Sequence, residues 1–163
     1  MVVAMSTYRE RLYPQWWVYL LAAALIAMLS IAYGAAYHAN VGWLIFIIGF
    51  GLIAVAMTSG SPTIEVNGAF RVDVAHLPLE AIGSVEVLNA DQTREARRSR
   101  DHATDFTLLK MWSSTTSVAI VVSDPDDPHP GWLISTRHPE ELKAALEAAL
   151  TQTGKTLPSS DTV

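Results

Sequence analysis

Hydrophobic and polar positions follow two different patterns along this chain. Residues 12–64, a run of 53, carry no formally charged side chain. Beyond Ile64 the apolar residues alternate with polar ones at the short periods of a soluble domain. An apolar helix needs about 20 residues to cross roughly 30 Å of hydrocarbon, so the uncharged run is too long for one crossing and long enough for two. The polar cluster Tyr37-His38-Ala39-Asn40 divides it. The pattern predicts helices over 15–37 and 41–58, about 34 and 27 Å long at about 1.5 Å per residue. Ser59-Gly60-Ser61-Pro62 then reads as a linker.

The second pattern predicts strands closed by a helix. Ile64 and Val66 alternate with Thr63 and Glu65. Asn67-Gly68 is a strong hairpin signal, and Phe70, Val72 and Val74 alternate with Arg71 and Asp73 beyond it. Further strands are expected over 82–88, 105–111, 117–123 and 131–136. The run Val118-Ala119-Ile120-Val121-Val122 is apolar on both faces, which makes it a central strand. If 117–123 and 131–136 pair as a hairpin, Asp124, Asp126 and Asp127 lie at its tip. Arg137 then lies at the open end, about 20 Å away. Pro139 suits a first helical position and Glu140 and Glu141 suit the positive end of the dipole. Leu142, Ala145, Leu146, Ala149 and Leu150 form one apolar stripe.

The expected fold is α+β: a two-helix transmembrane hairpin followed by a small antiparallel β domain capped by a C-terminal helix, pleckstrin-homology-like in layout. Its divisions are a cytoplasmic N-terminal segment (1–14), the hairpin (15–58), a soluble domain with a complete core of its own (62–150) and a disordered polar tail (151–163). Within 90–104 the pattern does not choose a conformation. Arg94, Arg97 and Arg98 would share a helix face and invite an anionic lipid. Asp91, Glu95 and Asp101 bring residues 90–102 to a net charge of about +1, as in an ordinary solvated helix.

Details of the uncharged run sharpen the membrane reading. Trp16, Trp17 and Tyr19 mark one interface and Tyr33, Tyr37 and Trp43 the other. A cleaved signal peptide fits less well, because the first apolar run is too long and a second follows directly. Arg9 and Arg11 precede the first helix and the turn has no Lys or Arg. The positive-inside bias therefore places both termini in the cytoplasm, in the plasma membrane. Ala23, Ala27, Ser30 and Gly34 share one helix face, and Gly42, Gly49 and Ala56 recur every seven residues. Small faces let helices pack closely in lipid. In a hairpin turning at Ala39, Ser30 falls near Gly49 and Ala23 near Ala56. The same faces suit a homo-oligomer or a partner's helix, and the bilayer itself is the other expected partner.

Charge excludes some functions. From Pro62 onward there are 9 basic and 15 acidic residues, which argues against nucleic acid. No ionisable Asp, Glu, Lys or Arg lies at membrane depth, as ion pathways and proton relays require. The chain has no cysteine, hence no disulfide and no thiolate ligand.

Candidate chemistry is sparse. Ser135, Thr136 and Arg137 precede a helix start, where backbone N–H groups and a guanidinium suit an anion. Ser135 and His138 with a nearby Asp have the residue types of a triad, without the exposed-turn serine motif. Asp124, Asp126 and Asp127 lie in a proline-broken run that suits a rigid loop better than a calcium site. His76, His102 and His129 lack metal-ligand spacing, and Trp112 and Trp132 read as core. No catalytic residue, cofactor or metal is assigned.

Three stretches together resemble a known family: Tyr8-Arg9-Glu10-Arg11-Leu12 with Pro14 and Trp16-Trp17; Leu77-Pro78-Leu79; and the long run through Asp124-Pro125-Asp126-Asp127-Pro128-His129-Pro130-Gly131-Trp132-Leu133-Ile134-Ser135-Thr136-Arg137-His138-Pro139-Glu140-Glu141-Leu142. The chain resembles a family of small actinobacterial two-span membrane proteins catalogued as a domain of unknown function. Gly131 departs from the aromatic expected before the tryptophan. The resemblance implies an actinobacterial plasma membrane and supplies no activity. The expected role is a membrane-anchored, non-enzymatic interaction module. The alternatives are an enzyme or anionic small-ligand binder around Ser135 and His138, and an accessory subunit of a membrane transporter or envelope-synthesis complex.

Overall fold

The computed structural model describes residues 8–99, 105–110, 112–124 and 127–154. It divides into two compact units, Tyr13–Ser61 and a domain that joins Leu12 and the residues before it to Pro62 and the residues after it.

The first unit is a helix hairpin. Helices α1 (Trp16–Ala36) and α2 (Ala39–Ser59) are both long and apolar enough to cross a membrane. Only Tyr37 and His38 separate them. The Tyr37 N–H donates to the Tyr33 carbonyl at 3.0 Å, and the Val41 N–H to His38 at 2.9 Å. Close packing is concentrated near this turn. Ser30 and Gly42 are the buried residues of the two helices. A Cβ on Gly42 would stand 2.6 Å from the Ser30 carbonyl oxygen and 3.1 Å from the Gly34 Cα. The Ser30 hydroxyl turns back to the Ile26 carbonyl at 2.7 Å, satisfying itself within its own helix.

The pairing differs from the expected one by about a turn. Gly49 lies against Ile26 rather than Ser30, with a Cβ at 3.3 Å from Ile26 Cγ2. The connection is only two residues long, so α2 starts earlier and facing residues shift. Ala23, Ala27 and Gly34 stay half-buried, but Ala56 is exposed. A strict seven-residue repeat drifts about 20° per heptad on a straight helix, and Ala56 lies two heptads from Gly42.

Among the described residues the domain contains two four-stranded sheets. The first is an antiparallel meander of β1 (Tyr8–Arg11), β2 (Thr63–Val66), β3 (Ala69–Val72) and β4 (Ala75–Pro78). Its first strand corrects the expected layout, because part of the stretch read as a separate N-terminal segment belongs to the sheet. The N–H of Leu12 donates to the Pro62 carbonyl at 3.0 Å. Proline has no N–H to return, and the Leu12 carbonyl instead accepts from the Ser113 hydroxyl at 3.2 Å. Strand β3 also ends earlier than expected. Asp73 takes φ +57°, which Asp tolerates in a turn, and the chain reverses into β4. Val74 is left 92% exposed instead of facing inward.

A short 3₁₀ turn, Leu79–Ala81, leads to the second sheet. Its elements in chain order are β5 (Ile82–Leu88), helix α3 (Ala90–Arg98), β6 (Phe106–Leu108), β7 (Ser117–Val122) and β8 (Gly131–Ser135). The sheet order is β5-β7-β8-β6, so β7 is central, as its two-faced apolar run predicts. Strands β7 and β8 pair antiparallel, while β6 runs parallel to β8. Helix α4 (Pro139–Gln152) closes the domain and takes in the first two residues of the expected tail. The rest of that tail, 155–163, lies outside the described residues, as do 1–7 and 100–104.

One core joins both sheets to α4. Ile64, Val66, Phe70, Val72, Ile82, Ile134, Leu142, Leu146 and Leu150 are fully buried in it, with Leu12 at 1% exposure. Trp132 belongs to this core, 4.5 Å from Phe106 and 6.0 Å from Phe70 between ring centroids. Trp112, expected there too, is 56% exposed, because it sits in a turn. Gly131 has a local reason: a Cβ there would meet the Asp105 carboxylate at 2.8 Å, so a larger residue would displace that side chain. Helix α3 covers the opposite side of the second sheet, where Ala96 packs with Leu88 and Leu133.

Candidate functional site

The start of α4, singled out as an anion site, holds a carboxylate from the chain itself. Strand β1 alternates inward Tyr8, Glu10 and Leu12 with outward Arg9 and Arg11. That period of two aims Glu10 at the end of β8, and the residue is 6% exposed.

Each Glu10 oxygen accepts two hydrogen bonds. Oε2 accepts from the Thr136 hydroxyl at 2.5 Å and the Tyr8 phenol at 2.8 Å. Oε1 accepts from the Arg137 backbone N–H and from its Nε, both at 3.1 Å. An ionised carboxylate offers about four acceptor sites, so this one is saturated. The Arg137 Nη2 group also donates to the Arg11 carbonyl at 2.8 Å, which binds the arginine to the β1 backbone as well.

Titration follows from these contacts. Burial works against the charged form of Glu10, but the donors from Thr136, Arg137 and Tyr8 prevail and hold its pKa below the ordinary value. Tyr8 is pushed the other way. Burial raises its phenol well above the ordinary range, and its bond to Glu10 and the charge there add to the shift.

The candidate residues have different surroundings. Thr136 is fully buried; its hydroxyl also accepts from the His138 N–H at 3.1 Å, and its carbonyl accepts from Ser114 at 2.6 Å and Thr116 at 2.7 Å. Ser135 is 2% exposed, and its Oγ accepts from the Lys110 N–H at 3.1 Å. His138 Nδ1 faces Glu141 at 3.6 Å. Ser135 and His138 are thus engaged with different partners. In the loop, Asp127 accepts from the His129 N–H at 2.8 Å, whereas Arg137 is tied to Glu10, so the two ends of the β7–β8 hairpin are engaged separately. Asp126 lies outside the described residues.

Sequence reasoning missed Glu10 and Tyr8. The signal was present in the alternation of Tyr8, Glu10 and Leu12 with the two arginines. It was obscured because the paired strand begins only at Thr63, across both apolar helices.

These features define a small α+β domain interrupted between its first two strands by a pair of long apolar helices. The chain belongs to the family described as "Protein of unknown function (DUF3093)", whose model matches residues 7–146. No curated protein and no solved structure matches the chain.

Proposed function

We propose that this protein is a membrane-anchored interaction module without catalysis, with its hairpin in the plasma membrane and a pleckstrin-homology-like domain in the cytoplasm. The saturation of the Glu10 carboxylate is the observation that most supports a structural rather than an enzymatic site. Thr136 and Arg137 already hold an anion, and that anion is a side chain of the same domain.

The domain's closure also supports two crossings. Strands β1 and β2 pair with each other and flank the hairpin in sequence, so they belong on one face of a membrane, which requires an even number of spans. Cleavage of α1 as a signal peptide would remove β1 from its sheet. Arg9 and Arg11 favour the cytoplasmic face.

The proposed seat for a second helix is the groove beside the hairpin turn, about 590 Å³ and lined in part by Ala27, Ser30, Ile31, Gly34, Trp43 and Phe46. Small residues there permit close approach in lipid, from another copy or from a partner's span. The cysteine-free chain makes the test clean. Ala35→Cys, at the groove, should cross-link in membranes to itself or to a stoichiometric partner that copurifies in mild detergent. Leu52→Cys, an exposed position outside the groove, should not. A monomer carrying a bound small anion would instead favour a ligand-binding role.

A further inference from the structure

We propose that one rim of the soluble domain rests on the lipid interface of the membrane that its own hairpin crosses, with Val74 and Trp112 set among the headgroups. This goes beyond anchoring by the two helices, and it rests on their proposed placement in the membrane.

Hydrogen bonds set the order of segments along this rim. The Ser113 hydroxyl donates to the Leu12 carbonyl at 3.2 Å. The Leu12 N–H donates to the Pro62 carbonyl at 3.0 Å, and the Asp73 N–H to the Thr63 carbonyl at 2.8 Å. Four segments therefore lie side by side at one end of the domain: the turn that carries Trp112, then Leu12, then residues 62–63, then the turn at residues 73–74. The middle two are where the chain leaves for α1 and returns from α2. Three residues separate Leu12 from α1, and two separate α2 from Pro62. At about 3.3–3.6 Å per residue neither connection spans more than about 15 Å. The rim is thus held close to the level at which the spans meet water.

The side chains on the rim fit a lipid interface. Among the described residues of the domain, the large hydrophobic side chains left exposed are Val74, Trp112 and Val121, and the first two flank the chain's exits. Single exposed hydrophobics are ordinary on a protein surface, but two on the rim that feeds both spans are not scattered. Neither is required by its turn. Asp73, at φ +57°, makes the β3–β4 reversal, and polar residues or glycine are usual beside it; Val74 is instead 92% exposed. Trp112 is 56% exposed in a turn closed by backbone atoms alone, the Ser113 N–H donating to the Lys110 carbonyl at 2.8 Å. Indole rings settle at headgroup level, with the apolar body toward the acyl chains and the N–H in the polar layer. Exposed Arg11 and Asp73 limit the depth to that layer, since a charge in hydrocarbon is costly. The contact is apolar rather than electrostatic, because the chain from Pro62 onward has 9 basic and 15 acidic residues and is repelled by anionic lipid.

The test uses the full, cysteine-free chain in phosphatidylcholine liposomes, with a nitroxide on one introduced cysteine at a time. Val74→Cys and Trp112→Cys report on the rim; both side chains are exposed, so the core is untouched. Asn67→Cys, on the exposed hairpin turn about 13 Å along β2 from Thr63, reports on the far end. Leu52→Cys reports on the second span. Collisions with lipid-soluble oxygen and with a water-soluble nickel chelate are read by electron paramagnetic resonance. The rim labels should meet the chelate severalfold less, and oxygen severalfold more, than the label at Asn67. Adding Trp112→Ser to the Val74→Cys chain should restore much of the chelate's access, and an unchanged label would contradict the seat. Chelate access at the rim equal to that at Asn67, with the Leu52 label still in lipid, would overturn this proposal alone. Shielding of the rim labels from both reagents would mean that a protein covers the rim, and would overturn it too. A Leu52 label open to the chelate would overturn the membrane placement, and the proposal with it.

Discussion

Leu12 and Pro62 are hydrogen-bonded neighbours at 3.0 Å, although the whole apolar hairpin lies between them in the chain. The hairpin is an insertion in the domain rather than a leader attached ahead of it. Leu12 enters the core and Glu10 is locked to α4, so the residues before the first helix contribute to the fold that follows the second.

Removing the Glu10 carboxylate should destabilise the domain. Glu10→Ala strands the Thr136 and Tyr8 hydroxyls and part of the Arg137 fork. A loss of about 2–3 kcal/mol is expected, since the Arg137 side chain, 42% exposed, recovers some bonds to water. Arg9→Ala removes only a surface pair with Glu65, 3.0 Å apart, and should cost no more than about 1 kcal/mol. Urea unfolding of the two variants gives the comparison. Equal losses would mean that the buried contacts contribute nothing beyond a surface pair.

Acid should release the same lock. The folded state depresses the Glu10 pKa, so its contribution is fully present above the unfolded value near 4.5 and is lost as pH falls through the lower folded value. Between neutrality and pH 5 this group should add no pH dependence. Below that, stability should fall, and Glu10→Gln should flatten the fall. An unchanged acid limb in Glu10→Gln would assign it to other carboxylates.

The hairpin offers an internal control. Gly42→Ala drives a methyl against the Ser30 carbonyl and should cost about 1–3 kcal/mol through overpacking. Gly51→Ala meets nothing within 4 Å and should be tolerated. The fraction of chain that stays monodisperse in detergent on heating distinguishes them. Equal behaviour would show that the turn-proximal contact is not a packing constraint.

Much of this architecture was legible in the sequence because its signals are local. The uncharged run, the polar break at His38, the two-faced apolar run of β7 and the leucine stripe of α4 each specify an element without reference to distant residues. The missing parts depend on partners far along the chain. Tyr-Arg-Glu-Arg is too short to announce β1, and Glu10 reads as a surface charge until Thr136 and Arg137 are beside it. The β3–β4 turn was missed because Val74 continues the alternation while Asp73 reverses the backbone. The small-residue faces put Gly49 opposite Ser30, whereas the facing residues depend on a turn length that apolar composition does not encode.

The most direct test of the inserted-hairpin account compares two water-soluble fragments. One runs from Pro62 to Gly154. The other carries residues 8–12 joined to the same stretch by a short glycine linker in place of residues 13–61. The linked fragment should unfold cooperatively and show a near-ultraviolet circular dichroism signal from buried Trp132. The fragment without β1 should be markedly less stable or unfolded, having lost Leu12 from the core and the carboxylate from Thr136 and Arg137. Equal stability of the two fragments would contradict the account, because residues 8–12 would then be dispensable to the domain.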